Sequence, residues 1–364
     1  MGKLFELKKY YKHEGLIQSL IHLYWLVSAK ISYKLNERKE RRKWEQIPVD
    51  TSKRVFVIGN GPSLNITPLH LLDQEQTICF NRFTLFLDRI QWNPTMYMIM
   101  DGLVGKDIIE DIKTMVDRTQ VSFVPAFVPK YRVNFKKHIK SEKVRWVYQR
   151  GKKIELADPP YVNVSNSVAV TALRILIKLG FKEIYLIGMD MNYQIHKTAS
   201  TLKNNDIQSV KNDDPNHFDP RYFGKGKKYH QPNEEVVQRI FNSLTEIGTL
   251  ADKYGSQIRN ATLGGMLEVF PRIDLRSLFP EFEAEEFVKL QELIKFRAGF
   301  ELESADHWDS IPQVDSIDAV SEHLEMFRVD TELTHSFLNK FIFDYNLFGP
   351  FRHQKLFIKR KQNG

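Results

Sequence analysis

The chain has one cysteine among its 364 residues, Cys79. No intramolecular disulfide can form, and the chain suits a reducing compartment. It also lacks an apolar run long enough to span a bilayer. The richest stretch, Ile17 to Val27, is broken by Gln18, Ser19 and His22. No continuous apolar region with a small-residue cleavage site follows the N-terminal lysines, so no signal peptide is expected and the expected location is cytoplasmic. There is no repeat and no low-complexity tract. HExxH, a cysteine cluster and a clean Asp-x-Asp pair are all missing, so no dedicated protein metal site is expected. The dinucleotide fingerprint fails because Leu64 stands where its third glycine belongs, so NAD is not implied. No nucleic-acid reader motif is present and the positive charge is spread along the chain, which argues against a nucleic-acid partner.

What is present supports a sizeable core: 42% of residues are hydrophobic and 12% aromatic. The formal net charge of +8 suits anionic partners, such as phosphorylated substrates or an anionic membrane face. The organising stretch is Arg54-Val-Phe-Val-Ile-Gly-Asn-Gly-Pro-Ser63. Val55 to Ile58 read as a buried strand that runs into a glycine-bearing turn. Such a turn is expected to present bare backbone N–H groups to an anion at a sheet edge, in the manner of a nucleotide phosphate or ribose site. A tight turn without a ligand satisfies the same pattern.

Residues 1–50 read as an amphipathic, basic helical arm, with Ile17, Leu20, Ile21, Leu23, Tyr24, Leu26 and Val27 apolar and a charge-dense run from Asn36 to Lys43. That arm either packs on the next domain or lies on an anionic membrane at the inner face of the cell membrane. Residues 51–275 read as an α/β domain. Strands are expected at Val55–Ile58, Gln76–Phe80, Pro94–Met100, Val121–Val124, Lys182–Gly188 and Ser256–Ala261. Helices are expected at Lys106–Arg118, Val168–Leu179 and Glu234–Tyr254, with Ser165-Asn-Ser167 suited to a cap and Gly180 to a helix end. Their alternation argues a mostly parallel, Rossmann-like sheet with helices on both faces. Residues 125–162 read as irregular and basic, with a strand near Arg145–Tyr148. The polar stretch 191–232 reads as a lid loop, and residues 276–364 as a helical C-terminal extension.

Candidate chemistry collects at strand ends: Asn60, Gly61 and Ser63, then Asn81, Asp101 and Asp190. In the lid stretch, His217 or His230 is the natural general base for an acceptor hydroxyl. Lys225, Lys227 and Lys228 offer charge to a phosphate, and Gly224 and Gly226 offer mobility. Tyr193 and Tyr222 could donate hydrogen bonds to a leaving phosphate. Asp190 with Asn192, or Asp213-Asp214, would be the places to hold Mg²⁺ alongside a nucleotide.

Val57-Ile-Gly-Asn-Gly-Pro-Ser-Leu64, Phe80-Asn-Arg82, Gly180 to Asp190, His217-Phe-Asp-Pro220, Gly224 to His230 and Asn260 to Gly265 together resemble the MptE-like superfamily, named for archaeal 6-hydroxymethylpterin diphosphokinases. That group is similar to bacterial sialyltransferases of glycosyltransferase family 42, a GT-A variant. The resemblance covers about residues 52–275. It implies a CMP moiety held by Asn60, Gly61, Ser63 and Asn81, with Ser167 (beside Asn166) at the start of the long helix and Asp101 where the family has asparagine. It implies His230 as the base, His217 as a second loop histidine, and Tyr193 at the leaving phosphate. The implied reaction is inverting transfer of a sugar acid, such as a nonulosonate, from a CMP-linked donor to a surface glycan or lipid-linked glycan, with no cofactor required. The alternative is pyrophosphate transfer from ATP to 6-hydroxymethyl-dihydropterin, which would use Mg²⁺.

Overall fold

The computed structural model describes residues 2–90, 92–150, 155–165, 167–202, 206–230 and 233–280, with the short pairs 313–314 and 356–357. Helix α1 (Gly2–Glu45) leads into β1 (Val55–Ile58), β2 (Gln76–Phe80) and β3 (Met96–Met98). Then come α2 (Gly102–Asp107), α3 (Ile109–Arg118), β4 (Val121–Pro125), the short β5 (Phe127–Val128) and β6 (Val133–Asn134), and α4 (Phe135–His138). Strands β7 (Val144–Arg150) and β8 (Tyr161–Asn163) precede α5 (Val168–Leu179) and β9 (Glu183–Ile187). Three short strands, β10 (Ser200–Thr201), β11 (Asp206–Gln208) and β12 (Lys228–His230), precede α6 (Glu234–Tyr254) and β13 (Gln257–Asn260).

The main sheet has eight strands in the order β13-β9-β1-β2-β3-β4-β7-β8. Every pairing in it is parallel. A sheet of this kind is buried on both faces, which is why β1 and β9 are unbroken apolar runs rather than alternating ones. Phe56, Ile58, Tyr97 and Val124 point into one core layer, under α2, α3 and the tight 3-10 turns after β1 and β2. Val55, Val57, Ile78, Met98 and Phe123 point into the other, under α5 and α6. Helix α5 is buried from Ala169 to Ile177 and apolar nearly all round, because α6 lies over it. From β1 the chain moves strand by strand to β8. It then crosses back to place β9 on the far side of β1. The order therefore reverses at the β1–β9 join, the point where open α/β sheets gather ligands.

The α/β class and the parallel sheet are as the strand and helix alternation implies. Ser167 is the N-cap of α5, although its hydroxyl makes no cap hydrogen bond, and Gly180 closes the helix in the left-handed region at φ 101°. Three expectations change. The single helix expected over residues 106–118 starts earlier, at Gly102, and breaks between α2 and α3 at Ile108, whose φ and ψ of −116° and 33° are not helical. The described residues of the stretch 125–162 are more regular than expected: besides the expected strand near Arg145–Tyr148, found as β7, they supply β5, β6 and the start of β8. The stretch 191–232 is not a free loop: β10, β11 and β12 form an antiparallel sheet, and the part from Asp214 to Tyr222 enters the core. The helical extension expected over residues 276–364 lies almost wholly outside the described residues.

Helix α1 is part of the domain. It is kinked at Gly15 and docks through Trp25 against Phe127, Tyr33 stacked on Tyr148 at 3.9 Å, Glu40 paired with Lys136, and Trp44. Trp44 is 6% exposed, meets the Phe123 ring at 5.1 Å and donates from Nε1 to the Trp146 carbonyl at 3.2 Å. Trp44→Ala is expected to cost about 3–5 kcal/mol in urea unfolding, the usual range for emptying a buried tryptophan site. A cost under about 1 kcal/mol would instead mark α1 as an appendage.

Candidate functional site at the ends of the central strands

The turn after β1 is locked to the end of β9. Gly59 N–H donates to Ile187 O at 2.8 Å, and Gly61 N–H to Gly188 O at 2.9 Å. Ser63 donates twice to Asp190, from its N–H to Oδ1 at 3.0 Å and from Oγ to Oδ2 at 2.8 Å. Burial raises the Asp190 pKa, and the two Ser63 donors oppose that rise. The glycines are there for contact. A Cβ on Gly59 would sit 2.1 Å from Gly188 O, and one on Gly61 1.7 Å from Asp190 Oδ2. This corrects the expectation of bare N–H groups waiting for a phosphate: the N–H groups of Gly59, Gly61 and Ser63 are all used inside the protein. Ser63 and Asp190 form a clasp.

Asn60 stands clear of that clasp. Its carbonyl accepts from Phe218 N–H at 3.0 Å, and its Nδ2 donates to the Tyr222 hydroxyl at 3.1 Å. Asn81, at the tip of β2, has φ 51°. Asparagine tolerates this left-handed conformation better than most residues. Tyr97 Oη donates to the Asn81 carbonyl at 2.8 Å and holds the turn. The Asn81 side chain and the Arg82 backbone also act on the Tyr222 oxygen, opposing the rise in its pKa, so Tyr222 sits at the tips of β1 and β2. Tyr222 is fully buried, and burial raises its pKa, so it stays a neutral phenol. It is a strut rather than a free donor to a leaving group. The Oδ1 atoms of Asn60 and Asn81 are both buried without a hydrogen-bond partner. An orphaned buried acceptor costs about 1–3 kcal/mol, so each of the two calls for an explanation.

His217 lies against Tyr222. Its ring stacks on Tyr222 at 3.8 Å and 4°, and its Nδ1 meets Asp214 Oδ2 at 2.8 Å. A carboxylate only accepts, so Nδ1 carries a proton, and in the neutral ring Nε2 holds the lone pair. Asp214 is buried. Its burial acts to raise its pKa, but His217 and the backbone N–H groups of Asn216 and Phe223 outweigh that and hold it below the usual carboxylate value. The preceding Asp213 accepts from His196 Nε2 at 2.7 Å, and His196 Nδ1 in turn meets Tyr229 Oη. The two adjacent aspartates, named from the sequence as one place where Mg²⁺ could sit with a nucleotide, each hold a histidine. Among the described residues no group of three or more His, Cys, Asp or Glu is placed to hold a metal ion.

The remaining candidates are spread around the rim. His230, at the end of β12, is exposed and meets Tyr131 Oη through Nε2 at 3.3 Å, on the side of the site formed by the β3 end. Asp101 caps α2, accepting from Leu103 and Val104 N–H. Tyr193 is 40% exposed, and desolvation and then the Asp190 carboxylate push its phenol pKa up. Lys227 is paired with Asp107 at 2.9 Å rather than held for a phosphate, and Lys225 and Lys228 are exposed. Gly224 is packed rather than mobile, since a Cβ there would meet Asn212 Oδ1 at 2.3 Å. Sequence reasoning missed Asp214 as the partner of His217, and Arg82, whose buried guanidinium pairs with Asp107 and leaves Nε without a partner. The signal for Asp214 was its i,i+3 spacing from His217 across a polar turn.

Gly61→Ala is expected to destabilise by about 1–3 kcal/mol or more, because the Asp190 carboxylate must move. A thermal midpoint equal to that of the wild type would remove the clasp from the account. For Asp214 the folded pKa is depressed, so its stabilisation is present above the ordinary carboxylate range and lost as pH falls through the folded value. The gap in urea midpoint between wild type and Asp214→Asn should therefore be widest near neutrality and close on acidification. A gap that stays constant over that range contradicts the pairing.

No curated protein matches the chain. Among solved structures it is similar to the MAf glycosyltransferase from Magnetospirillum magneticum AMB-1, at 16% identity and a TM-score of 0.40. The likeness covers 75% of this chain but 43% of that one, so the chain spans less than half of that protein's length. Residues 30–196, which carry the clasp, Asn60, Asn81 and Asp190, match the family model described as 6-hydroxymethylpterin diphosphokinase MptE-like.

Proposed function

We propose that the chain is a transferase acting on a nucleotide-activated donor, and that it is sialyltransferase-like: a sugar acid moves from a CMP-linked donor to a glycan acceptor. One observation carries the proposal. Asn60 and Asn81, at the tips of the neighbouring strands β1 and β2, each bury an Oδ1 without a partner, and Tyr222, which Asn60 Nδ2 bonds, stacks on a histidine oriented by a buried carboxylate. Neutral amide acceptors suit the hydroxyl and amino donors of a ribose and a pyrimidine edge better than they suit a phosphate. In this reading His217 Nε2 takes the proton from the acceptor hydroxyl. The freed oxygen attacks the anomeric carbon, and the bond from that carbon to the CMP phosphate oxygen breaks, its electron pair leaving with CMP. Tyr193, kept protonated, donates a hydrogen bond to the departing phosphate. Asp214 stabilises the imidazolium that forms. General-base help of this kind is worth on the order of 10²–10⁴-fold. His230, the base implied by resemblance, is the comparison residue.

The family match supports a second reading, pyrophosphate transfer from ATP to a pterin alcohol. That chemistry would call on Mg²⁺. Among the described residues no group of three or more His, Cys, Asp or Glu is placed to hold it.

CMP at 100 times its Kd should stabilise the protein by roughly 2.7 kcal/mol. UDP, GDP and ATP should give little shift, and Asn60→Ala and Asn81→Ala should lose the effect. His217→Ala should keep the CMP shift and lose turnover by about 10²–10⁴-fold. If His230→Ala loses turnover and His217→Ala does not, the base is His230. An ATP-selective shift with EDTA-sensitive turnover would favour the diphosphokinase instead.

A further inference from the structure

Helix α1 is apolar on two sides. One side packs on the domain through Trp25, Ala29, Tyr33 and Trp44. On the other, Leu16, Leu20, Tyr24, Val27, Ile31 and Leu35 are exposed, with Tyr24 at 68% and Leu35 at 78%. They recur every three or four residues, so they form one straight stripe along the helix beyond its kink at Gly15. From Leu16 to Asn36 there is no Asp or Glu. Lys30, Lys34, Arg38 and Arg42 follow one another at intervals of four, fall on this same side and are exposed.

We propose that this face of α1 is a docking surface for an anionic lipid bilayer, lying in the plane of the interface with the apolar residues inserted and the four cations among the headgroups. An apolar stripe running into a basic one is the pattern that suits such a surface. A second copy of the chain fits it poorly. A parallel pairing sets the cations against one another, and an antiparallel pairing sets them against the apolar residues. Insertion is peripheral, since no described helix is long and apolar enough to cross a membrane. The orientation has a consequence for the candidate site. Arg132, hydrogen-bonded to Gln18 on α1, adjoins Tyr131, which meets His230. Docking by α1 would bring that rim of the site towards the lipid.

The test is co-sedimentation of the full chain with vesicles of phosphatidylcholine containing phosphatidylglycerol, and with phosphatidylcholine alone. Binding is expected on the anionic vesicles, weakened by salt, and weak on the neutral ones. Lys34→Ser with Arg38→Ser should weaken it roughly twenty-five-fold, at about five-fold per charge. Leu20→Glu with Tyr24→Glu should abolish it. All four positions are exposed, so circular dichroism and thermal midpoint should match those of the wild type; if the glutamate pair misfolds, the serine pair alone decides. Equal binding to both vesicle types, or unchanged binding by the serine pair, overturns the proposal. A solution dimer that the glutamate pair dissolves, with no vesicle binding by the wild type, overturns it in favour of a self-association surface.

Discussion

The join between the ends of β1 and β9 is the constraint on which the rest of the candidate site depends. Two strands adjacent in the sheet but separated by more than a hundred residues in the chain meet at a glycine on each side, and Asp190 closes the contact on Ser63. Because the backbone donors of the turn are satisfied there, Asn60 is left as the residue whose side chain is free to point across the tips of the strands. The buried carboxylate is tolerable only because it accepts two hydrogen bonds, and that cost is what makes the turn rigid. A rigid turn is in turn what lets Tyr222 bridge Asn60 and Asn81 at defined positions.

The segment from Asp214 to Tyr222 converts this rigidity into chemistry. It lies over the strand ends, with Phe218 and Tyr222 in the core, and its polar residues are satisfied locally by Asp214 and by Asp219 with Arg221. The consequence is a histidine whose proton position is set before any substrate arrives. Preorganisation of this sort is the main way a protein lowers the cost of a proton transfer. The same packing means that the orphaned acceptors are covered, so a ligand reaches them only when the side chains above them shift.

Much of the fold was legible in the sequence, and for physical reasons. Helix α5 is an apolar run and α6 has an apolar face of helical period, and each stops at a C-terminal glycine, Gly180 and Gly255, so their limits could be read closely. Strand β1 is a pure apolar run. What could not be read was anything set by distant partners. Gly59 and Gly61 look like phosphate-binding glycines because the atoms they must accommodate, on Gly188 and Asp190, lie elsewhere in the chain. Residues 213–223 look like solvated loop because they are polar; the pairing that cancels this polarity brings His196 to Asp213 from outside the segment, and only the His217–Asp214 pair has a local spacing. Candidate residues at strand ends were found because the sheet itself selects them, whereas their roles depend on which hydrogen bonds the fold has already used.

The central claim is that Asn60 and Asn81 await a nucleoside beside an oriented His217. A crystal structure of the full chain with CMP, or with an unreactive CMP-linked sugar analogue, tests it most directly. The account predicts nucleoside donors within hydrogen-bonding distance of both Oδ1 atoms and the sugar facing His217 Nε2. A nucleotide seated at the opposite ends of the strands, or one bound at these strand ends while both Oδ1 atoms remain without partners, would contradict it.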